Sequence, residues 1–183
     1  MKKLCVVFPG RRYSCDRSLL YFPSRIIESY GFEMIYMHYD VNRESTEEIP
    51  LSENIDTAFE YCRQHLKDID FNSYDEIVFL SKSIGTIIAA DYEQSIKCDK
   101  IFQIFITPLD ETLPLIEDRD LIICGDRDQF LPGAKTKLAP YPNTYIFPGF
   151  SHSLESKTNY RLSIKTINDV SSIVDLYLKT CEL

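Results

Sequence analysis

Six short apolar runs, separated by stretches of helical periodicity, set the strongest limit on how this chain can fold. They occupy residues 4–8 (LCVVF), 32–39 (FEMIYMHY), 76–80 (EIVFL), 101–106 (IFQIFI), 121–124 (LIIC) and 144–147 (TYIF). A strand with one wet face alternates apolar and polar residues. A nearly continuous run is the mark of a strand covered on both faces, as in a parallel sheet flanked by helices. Residues 18–30 carry Leu19, Leu20, Ile26, Ile27 and Tyr30 at helical spacing, with Gly31 as a C-terminal cap. Pro23 must fall in a first turn of that segment or break it. Residues 52–67 start at Ser52, open on an acidic turn, and align Ile55, Ala58, Phe59, Cys62 and Leu66. Further helices are expected over 84–95 and over 162–179, where Leu162, Ile164, Ile167, Val170, Ile173, Val174 and Tyr177 form a core-facing stripe. Strand and helix in alternation predict an α/β domain of three α/β/α layers around a six-stranded, mostly parallel sheet. The 183 residues suit a single domain, long enough to bury about 70% of its unfolded surface. Residues 42–48 (NRESTEE) read as a solvated loop.

Composition removes several function classes. The formal charge is −8. An acidic chain without a basic cluster is a poor partner for nucleic acid or an anionic membrane. Arg11, Arg12 and Arg17 make one small basic spot, read here as solvated surface. The six cysteines (Cys5, Cys15, Cys62, Cys98, Cys124, Cys181) show no C-x-x-C pair and no metal-ligand spacing. They are expected to be reduced thiols in a cytoplasmic protein. The apolar stretch at 4–8 is shorter than the roughly 7–15 residues of a signal-peptide core. No segment is long enough to span a membrane. Neither G-x-G-x-x-G nor G-x-x-x-x-G-K-[ST] occurs, so a nucleotide-binding domain is disfavoured. No metal and no cofactor are expected.

The third apolar run ends abruptly in Ser81-Lys82-Ser83-Ile84-Gly85, and a helical pattern begins at once. A serine on so tight a strand-to-helix turn projects its hydroxyl from the C-terminal edge of the sheet, where open α/β sheets bind ligands. Only small residues fit two before and two after it. The helix N-terminus beside it offers free N–H groups to a developing oxyanion. The pattern S-x-S-x-G is a close variant of the G-x-S-x-G nucleophile elbow, although a plain Ser N-cap would read the same way. A serine nucleophile needs a base, and the base an orienting carboxylate. His65 falls in a helix, and His38 ends the second run. His152, in PGFSHSLE, lies in the loop after the sixth run, and the acid candidates Asp126 and Asp128 follow the fifth. Serine, acid and histidine occur in the chain order of one hydrolase class, all at C-terminal strand ends.

On these residues the chain resembles the α/β-hydrolase superfamily over almost its whole length. Gly125-Asp126-Arg127-Asp128-Gln129-Phe130-Leu131-Pro132 is similar to the family's G-x-x-D-x-x-V-P segment and places Asp128 in the acid position. PGFSH is similar to the G-x-G-H segment around the catalytic histidine, and VVFPG (residues 6–10) to the strand leading into the H-G oxyanion turn. Pro9 stands where the histidine is usual and Ser81 where a glycine is usual. The resemblance implies Ser83 as nucleophile, His152 as base, Asp128 as its orienting acid, and the backbone N–H groups of Arg11 and Ile84 as the oxyanion hole. It also implies a minimal version of the fold without a lid, since only residues 107–119 bridge the fourth and fifth runs. The strand order it implies is 2-1-3-4-5-6. The expected function is a carboxylesterase-like serine hydrolase acting on a small-molecule ester or thioester, with Tyr13, Leu109, Phe130 and Phe150 as pocket candidates. Acyl transfer by the same groups, and a non-catalytic binding protein on the same fold, are the alternatives.

Overall fold

A computed structural model describes residues 1–39, 51–96 and 98–183. The solvated loop expected at 42–48 lies outside them. Six strands, β1 (Lys3–Phe8), β2 (Phe32–Tyr36), β3 (Glu76–Lys82), β4 (Ile101–Ile106), β5 (Leu121–Gly125) and β6 (Thr144–Phe147), form one sheet. Its order is β2-β1-β3-β4-β5-β6, as expected, and every pairing is parallel. The helices are α1 (Ser18–Ser29), α2 (Leu51–Leu66), α3 (Ile84–Ile96), the short α4 (Ala134–Lys137) and α5 (Tyr160–Thr180).

The continuous apolar runs are explained by two covered faces. Leu4, Val6, Phe8, Ile77 and Phe79 pack with Ala58, Cys62 and Leu66 of α2 and with Ile84 and Ile88 of α3. The intervening residues Cys5, Val7, Val78 and Leu80 pack on the other face with Leu19, Leu20 and Ile27 of α1 and Val170 and Val174 of α5. The period of two is therefore present, with both phases apolar. Each fully buried aliphatic side chain contributes about 1.5–3 kcal/mol, which fixes the strand register on both sides at once.

Four local expectations are revised. Leu162 and Ile164, placed in the core-facing stripe of the last helix, are exposed near the start of α5. Pro23 neither starts nor breaks α1, which runs through it. The helix forgoes the bond from position 23 to Leu19, at a cost of ~3 kcal/mol. Burial of Leu19, Leu20, Pro23 and Ile27 against the sheet and α5 offsets it. The second strand stops at Tyr36, not at residue 39. Met37 still donates its N–H to Val7, but Tyr39 turns inward so that its hydroxyl donates to the Pro9 carbonyl at 2.6 Å. Helix α2 begins at Leu51, so Ser52 lies inside its first turn.

Candidate active site

The junction between β3 and α3 is one residue long, and that residue, Ser83, has φ +56°. A non-glycine residue in this region stores about 1–3 kcal/mol of strain. Its neighbours explain how the turn is held. A Cβ on Gly85 would lie 2.4 Å from the Phe8 carbonyl oxygen and 2.6 Å from that of Pro9, so only glycine lets α3 start this close to β1. Ser81 is tolerated in the other small position because it is fully buried with its hydroxyl donating to the Ile104 carbonyl at 3.2 Å. Ser83 N–H donates to Ile106 of β4, and Thr86 returns both its N–H and its hydroxyl to the Ser83 carbonyl. Three more non-glycine residues with positive φ, Arg12, Thr107 and Leu154, fall on loops at this same sheet edge.

His152 lies across the elbow. Its Nε2 is 2.8 Å from Ser83 Oγ, and its Nδ1 is 2.8 Å from Asp128 Oδ2. The Asp128 side chain has no exposure and that of His152 has 17%. The second carboxylate oxygen of Asp128 accepts the Phe130 N–H at 2.9 Å, which fixes the acid on its own loop. Gly125 makes the approach of the two loops possible: a Cβ there would lie 2.1 Å from the Phe150 carbonyl oxygen. The competing acid is engaged elsewhere. Asp126 pairs with Lys135 at 3.0 Å and accepts the Gly149 N–H at 2.6 Å, and the Lys135 bond foremost holds its carboxyl below the usual carboxylate range. Asp126 ties down the turn after β6, and Asp128 faces the histidine.

The remaining sequence-derived candidates divide. Tyr13 borders the cavity over Ser83, its hydroxyl accepting the Leu19 N–H at 2.9 Å. Phe130 is exposed and sets its ring edge-on to His152, centroids 4.8 Å apart. Leu109 and Phe150 do not reach the cavity. Leu109 is buried among the core residues that include Ile84 and Ile88, and Phe150 is buried on the α1/α5 side with Phe147 against its ring. Of the other histidines, His65 sits on α2 with Nδ1 against the Tyr61 carbonyl, and His38 is exposed beyond β2. Arg11 and Arg17, read from the sequence as solvated, line the cavity.

One residue escaped the sequence reading altogether. Lys82, the last residue of β3, is only 2% exposed. Its ammonium donates to Thr107 Oγ1 at 3.0 Å and to the His152 carbonyl at 3.4 Å, and lies 4.6 Å from the Tyr13 ring centre. Burial pulls its pKa down to about 8, against the opposing pull of Asp128 and Glu155. The signal was present: Lys82 is two past Leu80, so it shares that residue's buried face. A lysine at the end of a strand covered on both sides has no route to bulk water along the sheet.

The cavity over Ser83 has a volume of about 360 Å³ and is open to one side. Among the described residues no cluster of histidine, cysteine or carboxylate side chains could hold a metal ion, and no helix is long and apolar enough to cross a membrane. All six cysteines are free, and burial pushes the Cys15, Cys62 and Cys124 thiols up to about 12.

No protein-family model matches the sequence, and no curated protein matches it. Solved structures do. An alpha-beta serine hydrolase homologue from Coxiella burnetii is 13% identical with a TM-score of 0.59, over 97% of this chain and 85% of that one. A serine hydrolase without a lid from Xanthomonas campestris is 12% identical with a TM-score of 0.61, over 97% and 81%. Est1E from Butyrivibrio proteoclasticus, with ferulic acid bound, is 15% identical with a TM-score of 0.62, over 97% and 88%. The chain has the α/β-hydrolase fold. Among the described residues it has the compact form without a lid: a 3₁₀ helix, Asp110–Leu115, interrupts the connection from β4 to β5.

Proposed function

We propose that the protein is a serine hydrolase that cleaves a small ester or thioester through an acyl-enzyme. The observation that carries the reading is the unbroken chain from buried Asp128 through His152 to Ser83, 2.8 Å at each step, ending on a serine at φ +56°. Ser83 Oγ attacks the acyl carbon while His152 Nε2 takes its proton. Asp128 holds the tautomer that leaves Nε2 free and stabilises the imidazolium that forms. The carbonyl carbon becomes tetrahedral. Collapse breaks its bond to the leaving alcohol or thiol, which takes the proton back from His152. A water then repeats the sequence on the acyl-Ser83 bond and releases the acid. Two N–H groups are assigned here to the oxyanion. That of Ile84 is the first of α3 and has no intrahelical acceptor. That of Arg11 lies in the turn whose two backbone bonds join Gly10 and Tyr13 and leave it out. One such donor is worth about 10²–10³ in turnover. Pro9 contributes no N–H to this turn, and its carbonyl is taken by Tyr39, so a histidine at that position is not required to shape it.

A fluorophosphonate probe tests the reading. Labelling of wild type at Ser83, identified by peptide mapping and lost in Ser83→Ala, is the expected result. Labelling retained in Ser83→Ala, or found on Ser81, rejects it.

A further inference from the structure

The walls of the cavity over Ser83 are cationic, in a protein of net charge −8. Arg11, Arg17, Lys82 and Lys157 line it, and Glu155 is the one carboxylate among the lining residues. Among the described residues outside the cavity, eight lysines and arginines are ion-paired, among them Lys3 with Glu76, Arg119 with Glu93 and Lys137 with Asp110, while others such as Arg12, Lys100 and Arg127 are not. Among the described residues none of the four cavity cations has a carboxylate in ion-pair contact. Arg17 rests its guanidinium over the Tyr13 ring, 5.7 Å from its centre. Arg11 Nε is buried without a hydrogen-bond partner, and the Lys82 ammonium is buried on two neutral oxygens. Asp128 and Glu155 act on Lys82 only from beyond ion-pair contact. A buried cation so placed is costly, and an orphaned donor costs about as much as a lost hydrogen bond. Such groups are retained where a ligand completes them.

We propose that the cavity takes an ester or thioester carrying an anionic group, a carboxylate or a phosphate, which Arg17 and Lys157 meet at the rim and Arg11 and Lys82 meet deeper in. This rests on the serine-hydrolase reading above and names the substrate class of that site. Glu155 at the same rim opposes the anion and sets the discrimination against more highly charged groups.

The test compares matched substrates at low and high salt. For an acyl-side carboxylate the pair is mono-p-nitrophenyl adipate against p-nitrophenyl hexanoate. For a phosphate on the leaving group it is S-acetyl-4′-phosphopantetheine against S-acetylpantetheine. We expect kcat/KM to favour the charged member of one pair by at least about tenfold at low salt, the range of a charge-assisted contact, and the ratio to shrink as salt screens the rim. The favoured pair identifies the source of the anion. Arg17→Gln and Lys157→Gln lower the ratio, and Glu155→Gln raises it, a change of sign that loss of folding cannot produce. All three sites are exposed, so the variants are expected to fold. Ratios within about twofold of unity in both pairs overturn the inference, as does a preference that survives both lowering variants. If Ser83 reacts with fluorophosphonate and neutral esters turn over as fast as anionic ones, this inference fails and the hydrolase reading stands. If Ser83 does not react, both fall.

Discussion

The two ends of the sheet are built on opposite terms. At the N-terminal ends of the strands, charged groups are paired, although Gln103 Oε1 and Thr144 Oγ1 are buried without a hydrogen-bond partner. Lys3 lies 2.8 Å from Glu76, the Lys2 N–H donates to Asp75, and Lys100 donates to the carbonyls of Asn72 and Tyr74. Arg119 joins Glu93, which also accepts from Gln103, while the Tyr177 hydroxyl donates to the Arg119 carbonyl. At the C-terminal ends, four non-glycine residues hold positive φ, a lysine is buried on neutral oxygens, and an arginine nitrogen has no partner. One edge is arranged to be stable. The other keeps strain and a buried ammonium without an ion-pair contact where a substrate is proposed to sit, the pattern expected when stability is given up for preorganisation. Substitutions at the two ends should therefore fail differently: activity without stability at one, stability without activity at the other.

The largest such effect is at the elbow. If Ser83 is the nucleophile, as proposed, Ser83→Ala should lower ester turnover on the order of 10⁶-fold, the scale on which removal of the catalytic serine acts in subtilisin. It should leave the melting temperature within a degree or two of wild type, because nothing in the core rests on the hydroxyl. Ser83→Gly should be equally inactive and more stable by about 1 kcal/mol, since glycine adopts φ +56° freely. A Ser83→Gly variant less stable than wild type would show that the turn is not strained and would weaken the contrast between the ends.

The next effect separates two carboxylates that lie two residues apart in the chain. Asp128→Asn should cost about 10⁴-fold in turnover, because the amide no longer holds the imidazole in the productive tautomer. Asp126→Asn loses the Lys135 ion pair and should cost no more than about tenfold, together with a small loss of stability from an exposed pair. Steady-state kinetics on one soluble ester decides between them, and the reverse ranking overturns the assignment of Asp128.

The difference between the ends also marks what could be read in the sequence. The sheet was legible because burial on both faces leaves continuous apolar runs, and Ser83, Asp128 and His152 were legible because a strained turn and a loop–loop approach admit few residue types at Gly85 and Gly125. Side chains whose fate depends on a distant segment were not. Leu109 and Phe150 sit on loops at the correct edge, yet their rings and branches turn into the core under α3 and α1. Arg11 and Arg17 looked solvated because the residues that make a cationic wall with them, Lys82 and Lys157, lie some 70 and 140 positions further on. Pro23 showed the same limit in a helix, where tertiary burial outweighed a local rule.

The smallest predicted effect is the sharpest test, because its sign differs between the ends. Arg119→Met strands Glu93, whose carboxyl is already raised chiefly by burial, and should destabilise the protein by about 1–3 kcal/mol, less than a fully buried pair because Arg119 is part-exposed. Lys82→Met removes a buried ammonium that has no carboxylate partner and replaces it with an apolar chain of similar length. At pH 7 it should stabilise by about 1–3 kcal/mol, or about 2–4 °C for each kcal/mol in a chain of this size. The pH dependence follows from the shift. Folding lowers the Lys82 pKa from 10.5 to about 8, so between those values the unfolded chain binds more protons than the folded one. Wild-type stability relative to the variant therefore rises with pH across that window; the gain is complete above 10.5 and lost as pH falls through 8. The advantage of Lys82→Met should accordingly be largest at pH 7 and decline towards pH 10. Urea unfolding of wild type and variant at pH 7, 8.5 and 9.5 measures it, and taking the difference cancels the cysteines and tyrosines that titrate in the same range. A methionine variant less stable than wild type at pH 7 would mean that the Thr107 and His152 oxygens fully compensate the ammonium, and that this end of the sheet is as well matched as the other.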